Sequence, residues 1–194
     1  MSTLVVCAHP DPDSFSAHLA SRVTTGLARS GENHAILDLY SEGFDPVMSE
    51  REWKLHRSDA ADKDWLGHHA AALADAEAIV WVYPTWWSGP PAMMKGWIDR
   101  IWTNGVAYTH TDSGLEPGLL HHVRRMDVVT THGASKLVNV LEGEAGKKMI
   151  RRGLRALCHP ACRTRWIALY GVDRAARSRL EAFADRVERI YSAR

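Results

Sequence analysis

Two adjacent tryptophans that follow an apolar run are the residues of this chain best suited to chemistry. Trp86 and Trp87 lie in the segment YPTWWSGPP, directly after the apolar stretch 78–83. Two consecutive side chains cannot both face one core, so we expect one ring to face a ligand or a partner subunit. A large flat surface at a strand end suits a planar ligand such as a flavin or a quinone. The competing interpretation is that both rings are core or dimer contacts.

A second segment, AHPDPDSF, leads from the first apolar run into a helix. Free backbone N–H groups at a helix N-terminus attract phosphate, and His9 and Ser14 could add side-chain donors. Asp11 and Asp13 would repel a phosphate unless their carboxylates point away. The segment lacks both the glycine pattern of a dinucleotide-binding turn and the GK[ST] of a P-loop. Phosphate binding and a plain capped helix therefore both remain open.

A third segment, TTHGASKLVN, follows another apolar run. The small residues Thr130, Thr131 and Gly133 would let the backbone approach a ligand closely. A simple turn from strand to helix explains the same residues. Type and spacing identify no catalytic side chain, and His132 is kept as a candidate.

Metal ligands are not predicted. The adjacent pairs His68–His69 and His121–His122 have diverging side chains, which makes them poor chelates. The run CHPAC at 158–162 could be half of a zinc site, but a second half with suitable spacing is missing. The Arg-rich final helix alternates with Glu and Asp, which is typical of a solvated face and not of a nucleic-acid patch.

Length and composition favour one globular domain over residues 1–194. Hydrophobic residues make up 45% and charged residues 24% of the chain, and the net charge of +1 gives no field that would attract nucleic acid. No apolar run approaches the roughly 20 residues that span a bilayer, and no signal peptide is expected. Three cysteines, an odd count, argue against a disulfide framework and favour a cytoplasmic location.

Apolar runs and amphipathic stretches alternate along the chain. The first helix should begin at a Ser14 cap and end at Gly31. Strands are predicted at 4–8, 35–39, 78–83, 126–131 and 163–169, with further helices at 64–75, 91–102, 144–157 and 174–191. The stretches 43–57 and 109–119 are predicted to be irregular.

Near-continuous apolar strands separated by amphipathic helices predict an α/β fold with a parallel sheet covered on both faces. In such sheets a ligand binds beyond the carboxyl ends of the strands, where the strand order reverses. The three segments described above all follow strands. They are therefore expected to meet at one edge of the sheet.

The three segments, taken in order, resemble the NAD(P)H:quinone oxidoreductase family of flavodoxin-like flavoproteins, which includes ancillary oxidoreductases of potassium-efflux systems. The resemblance covers nearly the whole chain, and its central motif is P-x-x-W-x-G-x-P-A-x-x-K-G-W-x-D-R. The matching residues are His9, Ser14 and Phe15; Pro84, Trp87, Gly89, Pro91, Ala92, Lys95, Gly96, Trp97, Asp99, Arg100, Gly105, Ala107 and Tyr108; and Thr130, Thr131 and Gly133.

The resemblance implies a flavodoxin-like, doubly wound, five-stranded parallel sheet with helices on both faces. It also implies a non-covalent flavin, NADH or NADPH as co-substrate, a small quinone-like acceptor, and a homodimer with its active site at the interface. The helix through Trp97 and Trp102 would be a dimer element. FAD is favoured over FMN, because the first segment matches the FAD-binding members.

Positions in the motif also assign residues to parts of the flavin. The phosphate region would contact His9, Ser14, Phe15 and Ser16. The isoalloxazine would be lined by Pro84, Thr85, Trp86 and Trp87, and its pyrimidine edge approached by Thr131, His132 and Gly133.

The chain departs from the family pattern in two places. The family has T-T-G-G, whereas His132 replaces the first glycine here, where it would either crowd the flavin or donate to it. A Tyr and a His that assist hydride transfer in the animal enzymes are absent from the corresponding stretches, 137–139 and 144–145. The absent pair leaves open a flavin-binding regulatory subunit of a membrane transporter.

A further alternative comes from AHPD, which resembles the start of the zinc-dependent N-acetylglucosamine deacetylases. Pro12 displaces the second acidic residue of that motif, and the later His-x-x-His pair is absent.

Overall fold

The computed structural model describes residues 2–56, 63–111 and 114–193 of the chain. The strands are β1 (Ser2–Cys7), β2 (Asn33–Asp38), β3 (Ala78–Pro84), β4 (Tyr108–Thr111), β5 (Gly114–Pro117), β6 (Arg125–His132) and β7 (Arg163–Tyr170). The α-helices are α1 (Phe15–Arg29), α2 (Glu50–Leu55), α3 (Gly67–Ala74), α4 (Ala92–Ile101), α5 (Lys136–Leu141), α6 (Ala145–Lys148) and α7 (Arg177–Ser192). Among these described residues, every helix is too short or too polar to traverse a bilayer.

Five strands form one parallel sheet in the order β2-β1-β3-β6-β7. The central strand β3 is buried along its whole length, as expected for a parallel strand covered on both faces. The chain continues from β1 to β2 on one side and returns to β3 on the other. The strand order therefore reverses at β1 and β3, which is the predicted doubly wound arrangement.

Two apolar cores flank the sheet. On one face, α1 and α7 pack over Val5, Val80 and Val129. On the other face, α3 and α4 pack over Ile79 and Trp81. The long helices predicted from apolar periodicity are these core-covering helices. The apolar stripe of each helix is therefore used within its own chain.

Helix α1 begins and ends as predicted. The Ser14 hydroxyl accepts a hydrogen bond from the Ala17 N–H at 3.2 Å, and Gly31 follows the helix with a left-handed φ of 70°. At Gly26 an added Cβ would lie 2.6 Å from the Glu188 carbonyl oxygen. Glycine at this position therefore lets α1 and α7 pack in close contact.

Two stretches predicted to be irregular are ordered. Part of 43–57 is helix α2, whose Ser49 cap and Glu52 form a reciprocal capping box; residue 57 lies outside the described residues. Within 109–119, β4 and β5 form an antiparallel hairpin that pairs Thr109 with Glu116. Both elements are short and polar, and apolar periodicity does not identify such elements.

One loop prediction and one helix prediction after β6 need correction. The third segment is not all loop, because α5 occupies Lys136–Leu141. The helix predicted at 144–157 is one turn of α-helix followed by a π-helical segment, Met149–Gly153, and a 3₁₀ segment, Leu154–Leu157.

The tryptophans predicted to form a dimer element are part of the core. Trp97 is fully buried and Trp102 is 5% exposed. The Trp81 ring packs against both, with centroids 5.6 and 6.0 Å away. The apolar stripe of α4 is thus covered by the same chain and is not free to bind a second one.

Candidate functional site

A cleft of about 890 Å³ lies beyond the carboxyl ends of β1, β3, β6 and β7. This is the position at which ligands bind in doubly wound sheets. All the predicted cofactor residues except Ser14 line it. The wall consists of His9, Phe15, Ser16, Pro84, Thr85, Trp86, Trp87, Ser88, Thr131, His132, Gly133, Ala134, Asn139, Glu142, Val172 and Asp173.

Ser14 lies beside the cleft, in a smaller hollow of about 510 Å³ that it shares with Phe15. Its hydroxyl is occupied as the cap of α1. The nearby carboxylates do not enter the cleft wall, since the Asp11 carboxylate accepts the Asp13 N–H at 2.9 Å. The His9 ring accepts the Asp11 N–H at 3.0 Å. The first segment is thus a turn closed by its own hydrogen bonds, and Asp13 lines the hollow beside Ser14.

The two tryptophans lie on a tight turn. Trp86 and Gly89 exchange two backbone hydrogen bonds of 3.0 and 3.1 Å, and Trp87 and Ser88 have left-handed φ values of 48° and 59°. Left-handed conformations of this kind are costly for residues other than glycine and cluster at ligand sites. Trp86 is 44% exposed and Trp87 is fully exposed. The prediction that one ring would be exposed was too cautious, because both are.

His132 is the most constrained polar group of the cleft. Its ring is 6% exposed and stacks on Tyr170 with centroids 4.5 Å apart. Nε2 lies 3.5 Å from Thr85 Oγ1, which lies 2.9 Å from Thr130 Oγ1. Nδ1 is buried without a hydrogen-bond partner. The imidazole is therefore packed beneath the cleft wall with one nitrogen unsatisfied.

The charge of His132 follows from its surroundings. Burial lowers the pKa of the imidazole below its ordinary 6.5, and the effect is opposed by Asn139 and by the carboxylates of Glu144 and Glu142. The ring is consequently neutral at pH 7. A neutral imidazole can act either as a hydrogen-bond donor or as an acceptor for a ligand.

Sequence reasoning missed one side of the cleft, formed by α5 and by the end of β7. Ser88 donates to the Glu142 carboxylate at 2.6 Å, which connects the tryptophan turn to the end of α5. An added Cβ at Gly133 would lie 2.5 Å from Asp173 Oδ2. Gly133 is thus required for the close approach of that carboxylate. The contribution of the residues after β7 could have been predicted from the sequence, because β7 ends at the same edge of the parallel sheet as the other strands.

Among the described residues, one cluster brings three potential metal ligands together: Glu42, His68 and His69. The Trp97 indole N–H donates to His69 Nδ1 at 3.2 Å, so the neutral imidazole carries its proton on Nε2. That proton points towards the Glu42 carboxylate, 3.8 Å away. A protonated Nε2 cannot bind a metal, and the cluster is better described as a carboxylate that is hydrogen-bonded to His68 at 2.9 Å and lies near His69. Cys158 and Cys162 are buried free thiols.

The sheet order, the position of the cleft and the exposed aromatic turn together define a flavodoxin-like protein. The chain belongs to the family of proteins with a flavodoxin-like fold, whose model matches residues 1–191. The predicted family and fold class are confirmed, and two of the three proteins described next are named as NAD(P)H oxidoreductases.

One relative is an uncharacterised NAD(P)H oxidoreductase of Haemophilus influenzae, 34% identical over 131 residues, or 67% of this chain. The match covers 64% of that relative, so the chain spans just under two thirds of its length. Among solved structures, Smu.1420 from Streptococcus mutans is 26% identical with a TM-score of 0.82, and each chain is covered completely. The NAD(P)H:quinone oxidoreductase from Methanothermobacter marburgensis is 25% identical with a TM-score of 0.79, over 99% of this chain and 96% of that one.

Proposed function

We propose that this chain is a flavin-dependent oxidoreductase that takes hydride from NADH or NADPH and passes two electrons to a quinone-like acceptor. The balanced reaction consumes NAD(P)H, one proton and a quinone, and yields NAD(P)⁺ and a hydroquinone. The observation that carries the proposal is the exposed Trp86–Trp87 turn at the mouth of a cleft beyond the carboxyl ends of the strands. The names of two relatives, an NAD(P)H oxidoreductase and an NAD(P)H:quinone oxidoreductase, support the same chemistry.

The residues of the cleft fit a flavin. Its volume of about 890 Å³ is in the range of pockets that enclose small ligands, roughly 300–1,000 Å³. When bound, a flavin supplies a ring that accepts hydride and gives up electron pairs. The chain would supply an aromatic wall from Trp86 and Trp87 and a polar edge from Thr131, His132 and Gly133. The buried Nδ1 of His132 is a polar atom that a ligand could satisfy.

The phosphate end of the cofactor would lie at the start of α1. His9, Phe15 and Ser16 line the cleft there, and the free N–H groups of a 15-residue helix favour an anion. The adjoining hollow shares Phe15 with the cleft and includes His18 and Arg177. Asp13 and Glu181 also line this hollow. It could hold the adenosine monophosphate half by which FAD exceeds FMN, and on this ground we propose FAD.

A second copy of the chain would complete the site. Apolar side chains exposed beside the cleft form a patch on α5 and the tryptophan turn: Trp87, Leu137, Val138, Val140 and Leu141. A contiguous apolar patch on a protein surface marks a binding interface. We therefore propose a homodimer. Its contact surface would be this patch and not helix α4, which was first predicted to form the dimer contact. The second copy of the chain, packed over the cleft, would exclude water from the reaction. Buried free thiols support a cytoplasmic setting.

Cofactor analysis tests the proposal in one preparation. Heat release and chromatography of the purified, flavin-loaded protein should yield FAD, and the native protein should be yellow. A colourless protein that binds zinc instead would support the deacetylase alternative and overturn the flavin assignment.

Steady-state oxidation of NADH and NADPH with a simple naphthoquinone then tests catalysis. Turnover that follows ping-pong kinetics is the expected result. A fully flavin-loaded protein without turnover would refute the enzyme proposal and favour a regulatory subunit of a membrane transporter.

A further inference from the structure

Charge is unevenly distributed along this chain. The whole sequence is nearly balanced, with 24 Lys and Arg against 23 Asp and Glu. Between residues 145 and 172, however, there are seven Lys and Arg and no Asp or Glu. The net charge of the molecule therefore conceals a strongly basic region.

Most of these cations line a single groove of about 550 Å³. We call it the basic groove, and its cationic and hydroxyl lining consists of Lys147, Lys148, Arg151, Arg152, Arg155 and Thr164. Its one acid, Glu144, is bound to Lys147 at 2.7 Å. No ion pair to the remaining four cations is found in the part of the chain that the structure describes.

Two cations of the basic groove, Arg151 and Arg155, are held in place by hydrogen bonds that do not neutralise them. Arg151 Nε donates to Thr164 Oγ1 at 3.0 Å. Arg155 donates to the Cys162 and Pro160 carbonyls, each at 2.8 Å. The side chains of Lys148 and Arg152 make no hydrogen bond within the described ranges. Two fixed guanidinium groups and two free cations thus face one cavity.

This arrangement is unfavourable without an anion. Lys147 and Arg151, Lys148 and Arg152, and Arg151 and Arg155 are each four residues apart, where like charges repel across one helix face. The backbone is π-helical over Met149–Gly153, an irregularity often found at functional sites. A phosphate group suits such a groove, because Arg and Lys make short, charge-assisted hydrogen bonds to its oxygens.

The helical run that carries the basic groove contacts the wall of the cleft at its start. The Gly146 N–H donates to the Ser88 carbonyl at 2.8 Å, and an added Cβ at Gly146 would lie 3.1 Å from Gly89 Cα. The start of α6 is therefore pressed against the tryptophan turn. The helical run from Gly146 to Arg155 starts at this contact and carries the cations of the basic groove. A dinucleotide with its nicotinamide in the cleft could extend its adenosine half in this direction.

We propose that the basic groove binds the 2′-phosphate of NADPH and makes the protein prefer NADPH to NADH. The inference rests on the proposed function, which places the nicotinamide in the cleft. NADH has a hydroxyl where NADPH has a phosphate, and a neutral hydroxyl cannot offset four clustered cations. The preference therefore comes from charge, and it should weaken as salt is added.

The decisive experiment removes the two free cations in a Lys148→Ala/Arg152→Ala variant. We expect kcat/KM for NADPH to fall at least roughly tenfold, with kcat/KM for NADH unchanged. A matched control is Arg186→Ala/Arg189→Ala, which removes two exposed cations from α7 and should leave both values unchanged. Circular dichroism confirms that both variants fold. A ratio of the two kcat/KM values that is unchanged in the groove variant would overturn the inference but leave the proposed function intact.

Binding without turnover separates the two proposals further. Calorimetry on the flavin-loaded protein should show that adenosine 2′,5′-bisphosphate binds more tightly than 5′-AMP, and that the groove variant loses this difference. Equal affinity for the two nucleotides in the unmodified protein would refute the inference. Oxidation of neither coenzyme, with the bisphosphate preference intact, would instead refute the proposed function alone.

Discussion

The amino end and the carboxyl end of the sheet differ in how their polar groups are paired. At the amino end, Asp127 is fully buried, and its carboxylate accepts hydrogen bonds from Arg165 and from the Tyr191 hydroxyl at 3.4 Å. Beside it, Arg125 donates to Thr3 and to Glu32. At the carboxyl end, His132 keeps an unsatisfied nitrogen and Trp87 has a left-handed backbone. The amino end pairs its buried charges with one another, although Arg125 Nε there lacks a hydrogen bond, whereas the carboxyl end leaves the neutral His132 ring and the strained tryptophan turn facing the cleft.

The largest expected effect comes from removing the buried ion pair between Asp127 and Arg165 at the amino end of the sheet. Asp127→Ala would leave Arg165 without its ionic partner and create a cavity, and it should lower the free energy of unfolding by about 3 kcal/mol. Urea denaturation measures this change. Flavin affinity, measured under conditions where the variant is folded, should stay the same, and a large loss of affinity with unchanged stability would contradict the division between the two ends.

Gly133→Ala tests the crowded side of the cleft. The new Cβ would meet Asp173 Oδ2 at 2.5 Å, which should cost about 1–3 kcal/mol in stability and weaken flavin binding. Fluorescence titration with flavin measures the affinity. The double variant Gly133→Ala/Asp173→Ala is the control, because it removes the clash and should recover stability. Failure of this rescue would mean that glycine is required for another reason.

Replacing a strained residue in the cleft should increase stability. Trp87→Gly relieves a left-handed φ of 48° at a fully exposed position, and we expect a gain of about 1 kcal/mol. Flavin affinity should fall in the same variant, because the aromatic wall is lost. Thermal unfolding and flavin titration measure the two quantities. A variant that is both less stable and unchanged in affinity would show that Trp87 is structural.

The smallest effect concerns pH. Burial lowers the pKa of His132 and of His69, so the unfolded chain binds more protons than the folded one just below pH 6.5. Both groups therefore contribute stability that is present above pH 6.5 and is lost as the pH falls through their folded pKa values. Urea midpoints at pH 7.5 and 5.5 measure this loss. In His132→Phe the loss should be smaller, and an equal loss would show that His132 does not contribute.

The sequence predicts the buried framework well. β3 is apolar throughout, and α1 has its Ser14 cap and Gly31 end, so these elements are encoded locally and were found. The cleft followed from the rule that ligands bind beyond the carboxyl ends of parallel strands. Elements whose order depends on distant contacts were missed, as with α5, whose end is tied to the tryptophan turn through Glu142 and Ser88.

The aromatic residues show where sequence patterns fail. Trp97 was assigned to an interface, but its position is set by contact with Trp81 and by a hydrogen bond to His69, neither of which is visible in helical periodicity. Trp86 and Trp87 were expected to differ in exposure. A left-handed turn without a glycine at either central position carries no recognisable sequence signal.

Because the tryptophans differ in exposure, the intrinsic fluorescence of the protein should report on the cleft. Trp81 and Trp97 are enclosed in an apolar core and should fluoresce at short wavelengths, whereas the fully exposed Trp87 should fluoresce as a hydrated indole. A ligand that does not absorb tryptophan emission would shift the Trp87 contribution on entering the cleft and leave the core emission and that of the exposed Trp53 unchanged. Occupancy of the cleft could therefore be followed in the unlabelled protein.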